Sequence, residues 1–160
     1  MPSTLPAALR AAAPSSPILP ALGILRAAEL LLPSIEAGER IGSAMLRGAM
    51  TEAFGGRDAE GHWDWKSAYD ACEAVQILLL RRYGAALAAR HRSARKLLGT
   101  YERIAARFPT QTRRSETGQA LQQFSTPLPL AFVAARAASV QPGDLLLEPS
   151  AGTGMLAIHG

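Results

Sequence analysis

The spacing of large apolar residues between Ser43 and Phe108 constrains the fold more than any other feature of the chain. Leu46, Met50 and Phe54 recur every fourth residue, which places them on one face of a helix, and the glycines at 55 and 56 supply a left-handed stop. After a polar loop through Gly61, the residues Trp65, Tyr69, Cys72, Leu79 and Tyr83 follow three- and four-residue steps, predicting a longer helix that closes near Gly84. A further helix is expected from Ser93, with Leu97, Tyr101, Ile104 and Phe108 on one face and Pro109 as its stop. No alternating strand pattern occurs in this stretch, so the middle of the chain is expected to be helical. Upstream, residues 18–32 suggest a short apolar helix that ends before Pro33, because proline disfavours helical geometry in the residue preceding it; a new segment then begins at Ser34. The first twenty residues alternate Pro, Ala and Ser, bury too little apolar surface to offset their ordering entropy, and are expected to form a mobile tail.

Composition sets the class. With 160 residues, 48% apolar and 19% charged, the chain is suited to a packed core of ordinary domain size. A formal charge of +4 suits an anionic partner without specifying one. Cys72 is the sole cysteine, so no intramolecular disulfide can form and a cytoplasmic location is the default expectation. The most apolar stretch is interrupted by Pro20 and Arg26 and is too short to cross a bilayer of about 30 Å, so no membrane partner is expected. Residues 1–28 carry Arg10 and Arg26 and no acid, as some organellar transit peptides do, but the prolines from Pro6 to Pro20 oppose a continuous amphipathic helix there.

The first strand signal comes late. Residues 144–147 form a brief apolar run, entered from the turn Gln141-Pro142-Gly143 and left through Pro149 into a loop with glycines. Upstream, Thr126 is placed to cap a helix whose first residue is Pro127 and whose buried face carries Leu128, Phe132 and Ala135. Downstream, Met155, Leu156 and Ala157 read as the first turn of another helix. A glycine loop between strand and helix offers close backbone approach and unpaired N–H groups to a nucleotide-like ligand. A triphosphate loop requires lysine followed by Ser or Thr where Met155 and Leu156 stand, and is excluded. A dinucleotide loop matches Gly152, Gly154 and Ala157 by spacing, so the glycines alone leave two ligands open.

Two segments together carry a resemblance. Glu148 lies four residues before Gly152 in Glu148-Pro-Ser-Ala-Gly-Thr-Gly154, and Gln123-Phe-Ser-Thr-Pro127 begins twenty-five residues before Glu148. In type, order and spacing these resemble the cofactor segments of the amino-group DNA methyltransferases that modify adenine N6. The resemblance implies S-adenosylmethionine as cofactor, with Phe124 and Thr126 beside its methionine part and Glu148 at its ammonium end. Gly152 and Gly154 would let the backbone pass close, and Pro127, Pro149 and Ala151 complete the implied cofactor-binding set. The chemistry is compatible: a carboxylate suits a cationic amine, helix N–H groups suit a carboxylate, and an aromatic ring suits a sulfonium. Pro149 and Ser150 equally suit plain turn geometry, and Thr153 suits a helix cap. More broadly, residues 45–160, with Phe54-Gly-Gly, Trp63-Asp-Trp-Lys66, Tyr69-Asp-Ala-Cys72 and Thr112-Arg-Arg-Ser115, resemble the front of bacterial proteins that fuse such a methyltransferase to a helicase of the strawberry notch type.

That family holds a flipped adenine with an Asn or Asp, two prolines and an aromatic residue in tandem, and no Pro-Pro pair occurs in the 160 residues. No catalytic residue is therefore assigned. The chain is expected to be the front of a longer product, neither methylating DNA nor binding the cofactor tightly by itself. The expected fold is mainly α, with a mobile tail and short helix over residues 1–33 and a helical region over 34–118. The first strand and glycine loop of a truncated Rossmann-like α/β methyltransferase domain would follow over 119–160.

Between Arg81 and Arg114 stand ten Lys or Arg residues and one acid, Glu102. This basic face could contact DNA phosphates, and it gives the alternative function: a helical nucleic-acid or protein interaction module with a vestigial glycine loop. A dinucleotide-dependent oxidoreductase is a third reading, and would need an acid about twenty residues past the glycines. Trp63 and Trp65 read as a core anchor at a helix start rather than a base-stacking platform. Cys72 and His62 lack partners at zinc spacing, His91 is assigned to the basic face, and His159 to a frayed end.

Overall fold

The computed structural model describes residues 19–111, 125–141 and 143–159. Among them are five α-helices: α1 (Pro20–Glu36), α2 (Ser43–Phe54), α3 (Trp65–Arg90), α4 (Ala94–Ala105) and α5 (Leu128–Ala137), with 3-10 turns at Asp58–Glu60 and Ala157–His159. No described helix is long and apolar enough to cross a membrane.

Local chemistry marks three of the helix ends. At the start of α3 the Asp64 carboxylate accepts the Ser67 N–H at 2.8 Å, and at the start of α4 the Ser93 hydroxyl accepts the Lys96 N–H at 3.4 Å. Gly55 ends α2 in the left-handed region at φ 72°, its N–H bonded to the Thr51 carbonyl. Two boundaries differ from the sequence expectation. Helix α1 does not stop before Pro33 but runs through it to Glu36. An internal proline costs roughly 3 kcal/mol, yet Leu31, Leu32 and Ile35 around it are buried, each worth roughly 1.5–3 kcal/mol, so tertiary burial outweighs the lost hydrogen bond. Helix α3 likewise continues past Gly84 to Arg90. A single interior glycine costs only about 1 kcal/mol, and the following Ala85, Ala86, Leu87, Ala88 and Ala89 are strong helix formers.

Two apolar clusters share α3. In the first, α1 and α2 pack with the front of α3, burying Leu31, Leu46, Met50 and Val75. Gly23 of α1 is required there because a Cβ would overlap the Phe54 ring. Trp63 is buried in this cluster, its indole N–H donating to the Gly56 carbonyl at 3.1 Å, which makes it the core anchor its position suggested. The second cluster joins Leu80 of α3, Leu97 and Tyr101 of α4, Leu128, Ala131 and Phe132 of α5, and Met155. Neighbouring residues Leu79 and Leu80 thus face different clusters, and α3 is the spine between them.

Residues 144–147, expected as a strand, are not in one, and no strand occurs among the described residues. Leu145 and Leu147 are almost fully exposed and Leu146 half so. A strand is stabilised by a neighbour that accepts its ladder of N–H and C=O groups, and none of the described residues forms one beside it. The turn before it does form, with the Asp144 N–H bonded to the Gln141 carbonyl at 3.1 Å and Gly143 at φ 95°.

Candidate cofactor site

The loop after residue 147 is shaped by backbone rather than side chains. The Glu148 carboxylate accepts the Ser150 N–H at 3.0 Å, closing a small turn through the exposed Pro149. The Ala151 carbonyl then accepts the Gly154 N–H at 2.6 Å. Gly152 and Gly154 stand at φ 52° and 91°, in the region glycine occupies at no steric cost. A Cβ on Gly154 would meet nothing within 4 Å, and one on Gly152 only the Ser150 carbonyl at 3.8 Å, so conformation and not crowding selects glycine here. Glu148 is half-buried and Ala151 exposed. The segment from Met155 forms a turn and then the short 3-10 element, not the expected α-helix.

Of the upstream segment, Phe124 lies outside the described residues. Thr126 is half-buried and does not cap α5; the N-cap is Pro127, one residue later than expected, with no side-chain hydrogen bond to the first turn. Pro127 is exposed, and its carbonyl accepts the Ala131 N–H at 3.0 Å. The two segments meet through their neighbours: Leu128, next after Pro127, and Met155, next after Gly154, are both buried in the second cluster. No hydrogen bond among the described residues joins Glu148 to Thr126.

A contact the sequence did not announce ties the loop to the helical region. Thr153, expected as a helix cap, instead donates its hydroxyl to Glu73 of α3 at 2.7 Å. Gln111 donates to the other carboxylate oxygen at 3.1 Å. One turn further along α3, Gln76 donates to the Cys72 carbonyl at 3.2 Å, and its buried Oε1 has no partner among the described residues. Glu73 and Gln76 are both buried. Two polar residues three apart on a helix crowded with apolar ones are the signal for this cluster, but on sequence alone they read as its solvent face. Beside Glu73 the buried Cys72 thiol is pushed up to about 12, by desolvation first and by the Glu73 charge second.

The basic stretch is not one uniform face. Arg82 is committed to Glu36 at 2.6 Å, which raises its pKa and also draws in the Tyr83 hydroxyl at 3.1 Å. Tyr83 is therefore on the surface rather than the apolar face. His91 is half-buried, its Nε2 3.0 Å from the Thr100 hydroxyl. Arg113 and Arg114 lie outside the described residues. His159, expected at a frayed end, is instead packed against Tyr101 and Phe132, with ring centroids 5.7 Å from each. Burial lowers its pKa by penalising the charged imidazolium.

No protein-family model matches the chain, and neither the curated proteins nor the solved structures contain a significant match to it.

Proposed function

We propose that the C-terminal part of the chain forms a portion of the cofactor pocket of an S-adenosylmethionine-dependent DNA adenine-N6 methyltransferase. The observation that supports this reading is the shared burial of Leu128 and Met155, which brings the residue after Thr126-Pro127 and the residue after Gly154 into one apolar cluster. The residues fit the cofactor in kind. Space in front of Gly152 and Gly154 is open to a ligand, and one Glu148 oxygen remains after the Ser150 N–H is satisfied. That oxygen suits an ammonium group, and the bound cofactor would supply an electrophilic methyl on a sulfonium. Duplex DNA as methyl acceptor belongs to this reading, as does the Rossmann-like character of residues 119–160.

The test is an NMR titration of the 160-residue chain with S-adenosylhomocysteine at millimolar concentration. Weak binding is expected, with amide shifts at Glu148, Gly152, Gly154 and Thr126 that Glu148→Gln reduces. Absent shifts, or shifts confined to α1 and α2, overturn the reading. No transfer of labelled methyl groups to DNA is expected, since the 160 residues contain no Pro-Pro-aromatic motif.

A further inference from the structure

The second cluster leaves an open cleft of about 500 Å³ where the end of α3, the start of α4, α5 and the last 3-10 turn converge. Its floor includes the buried Leu97, Tyr101 and Phe132. Around it stand Arg92, at the corner between α3 and α4, and Arg136, in the last turn of α5. Both arginines are exposed, and neither forms an ion pair with any described residue. Among the described residues no aspartate or glutamate lines the cleft. His159 also lines it and carries a buried Nε2 that has no hydrogen-bond partner among the described residues. The glycine loop, Glu148 and Thr126 do not line it, so the cleft is separate from the candidate cofactor site.

Two guanidinium groups beside a partly enclosed cleft, with no acid among its described lining residues, focus positive potential into it. Each presents a planar fork that matches phosphate oxygens in pairs, which a lysine would not. Above the buried Tyr101 and Phe132 the lining offers aliphatic surface from Ala85, Ala88 and Ala135, and the volume falls within the range of small-molecule sites of roughly 300–1,000 Å³.

We propose that this cleft binds a nucleoside phosphate, with Arg92 and Arg136 on the phosphate and the base against the apolar lining. The ligand is either a free nucleotide or one link of a single strand. The proposal does not depend on the methyltransferase reading, because it uses none of that site's residues.

The experiment is fluorescence polarisation with the full 160-residue chain, using a labelled adenosine monophosphate and, separately, a labelled single-stranded deoxyoligonucleotide at two salt concentrations. The pair Arg92→Ala and Arg136→Ala should weaken binding by about tenfold or more, as loss of charge-assisted hydrogen bonds does. The pair Arg26→Ala and Arg40→Ala removes the same charge from exposed positions outside the cleft and should change affinity by less than about twofold. Binding of the mononucleotide that the cleft pair abolishes identifies a free nucleotide. Binding of the oligonucleotide alone, equally sensitive to that pair, identifies the strand. Absence of binding to both probes, or equal loss in both variant pairs, overturns the site. Both arginines are exposed, so the variants should fold; wild-type His159 ring resonances that move on titration give a second readout, and S-adenosylhomocysteine should not displace the nucleotide.

Discussion

The two apolar clusters lean on the same helix yet are closed by different means. The first is walled by α1, α2 and the front of α3, and holds sixteen buried residues among those described, all on helical faces except Ile41 and Trp63 in the connecting loops. The second holds seven, and one of them, Met155, arrives on a loop whose preceding leucines lie in solvent. Buried apolar area scales with stabilisation, so the first cluster should govern global unfolding and the second should open at lower free energy. Both candidate ligand sites, the glycine loop and the arginine cleft, lie at the second cluster. Segments that must admit a ligand are drawn from the less stable part of a fold.

The sharpest way to break this comparison is a matched pair of deletions. Leu46→Ala and Leu128→Ala each remove a leucine that is at most 1% exposed, and each should cost about 2–5 kcal/mol locally. Leu46→Ala should lower the melting temperature of the whole chain. Leu128→Ala should instead accelerate amide exchange in α5 and residues 151–159 while α1 and the front of α3 stay protected. Equal loss of protection everywhere in both variants would show one cooperative unit and refute the distinction.

Next in size is an alkaline effect confined to the first cluster. Folding favours the neutral Cys72 thiol, whose pKa rises from 9.0 to about 12. Below pH 9 both states hold the proton and the stability is intact. As pH rises from 9 towards 12 the unfolded state releases the proton first, and stability falls by at most ~4 kcal/mol. Denaturation at pH 8 and pH 11 measures it, and Cys72→Ala should flatten the decline; an unchanged slope in that variant would assign the loss to other groups.

How far the sequence disclosed these regions follows the same divide. The face of α2 and the start of α3 were legible because one-sided burial writes a three- to four-residue period. Pro33 and Gly84 read as stops in the sequence, but the burial and helix propensity on either side of them outweigh the local penalty. Residues 144–147 have the composition of a strand, but strand formation depends on a pairing partner that no period within the run can reveal. Glu73 and Gln76 were invisible as site residues because α3 is covered on two sides, which blurs the polar face that would mark them. The positive φ of Gly152 and Gly154 was foreseeable from residue type, whereas the Thr153 contact eighty residues back was not.

Glu73 offers a way to cut the two regions apart. Glu73→Ala leaves the Thr153 hydroxyl and the Gln111 amide without their acceptor and should cost about 1–3 kcal/mol. The loss should appear as faster amide exchange at Thr153, Gly154 and Met155, with the first cluster unaffected. Glu73→Gln keeps one acceptor oxygen and should retain part of the protection. Loop exchange identical in wild type and Glu73→Ala would mean that the carboxylate does not hold the loop.

The smallest effect has the opposite sign and belongs to the second cluster alone. Ser139 sits just past α5 at φ 54°, the one described residue other than glycine in the left-handed region, with its N–H on the Arg136 carbonyl at 3.2 Å. Holding an L-residue there costs roughly 1–2 kcal/mol, whereas glycine adopts it freely and instead loses roughly 0.5–1 kcal/mol more chain entropy. Ser139→Gly should therefore stabilise α5 by a net ~0.5–1 kcal/mol, read as slower amide exchange in that helix and a higher denaturation midpoint at unchanged slope. Because the substitution touches no core residue, the gain should reach the global midpoint only if the second cluster unfolds together with the first. Slower exchange in α5 without any rise in the midpoint would show that the two clusters unfold separately, and faster exchange would mean that the serine conformation carries no strain.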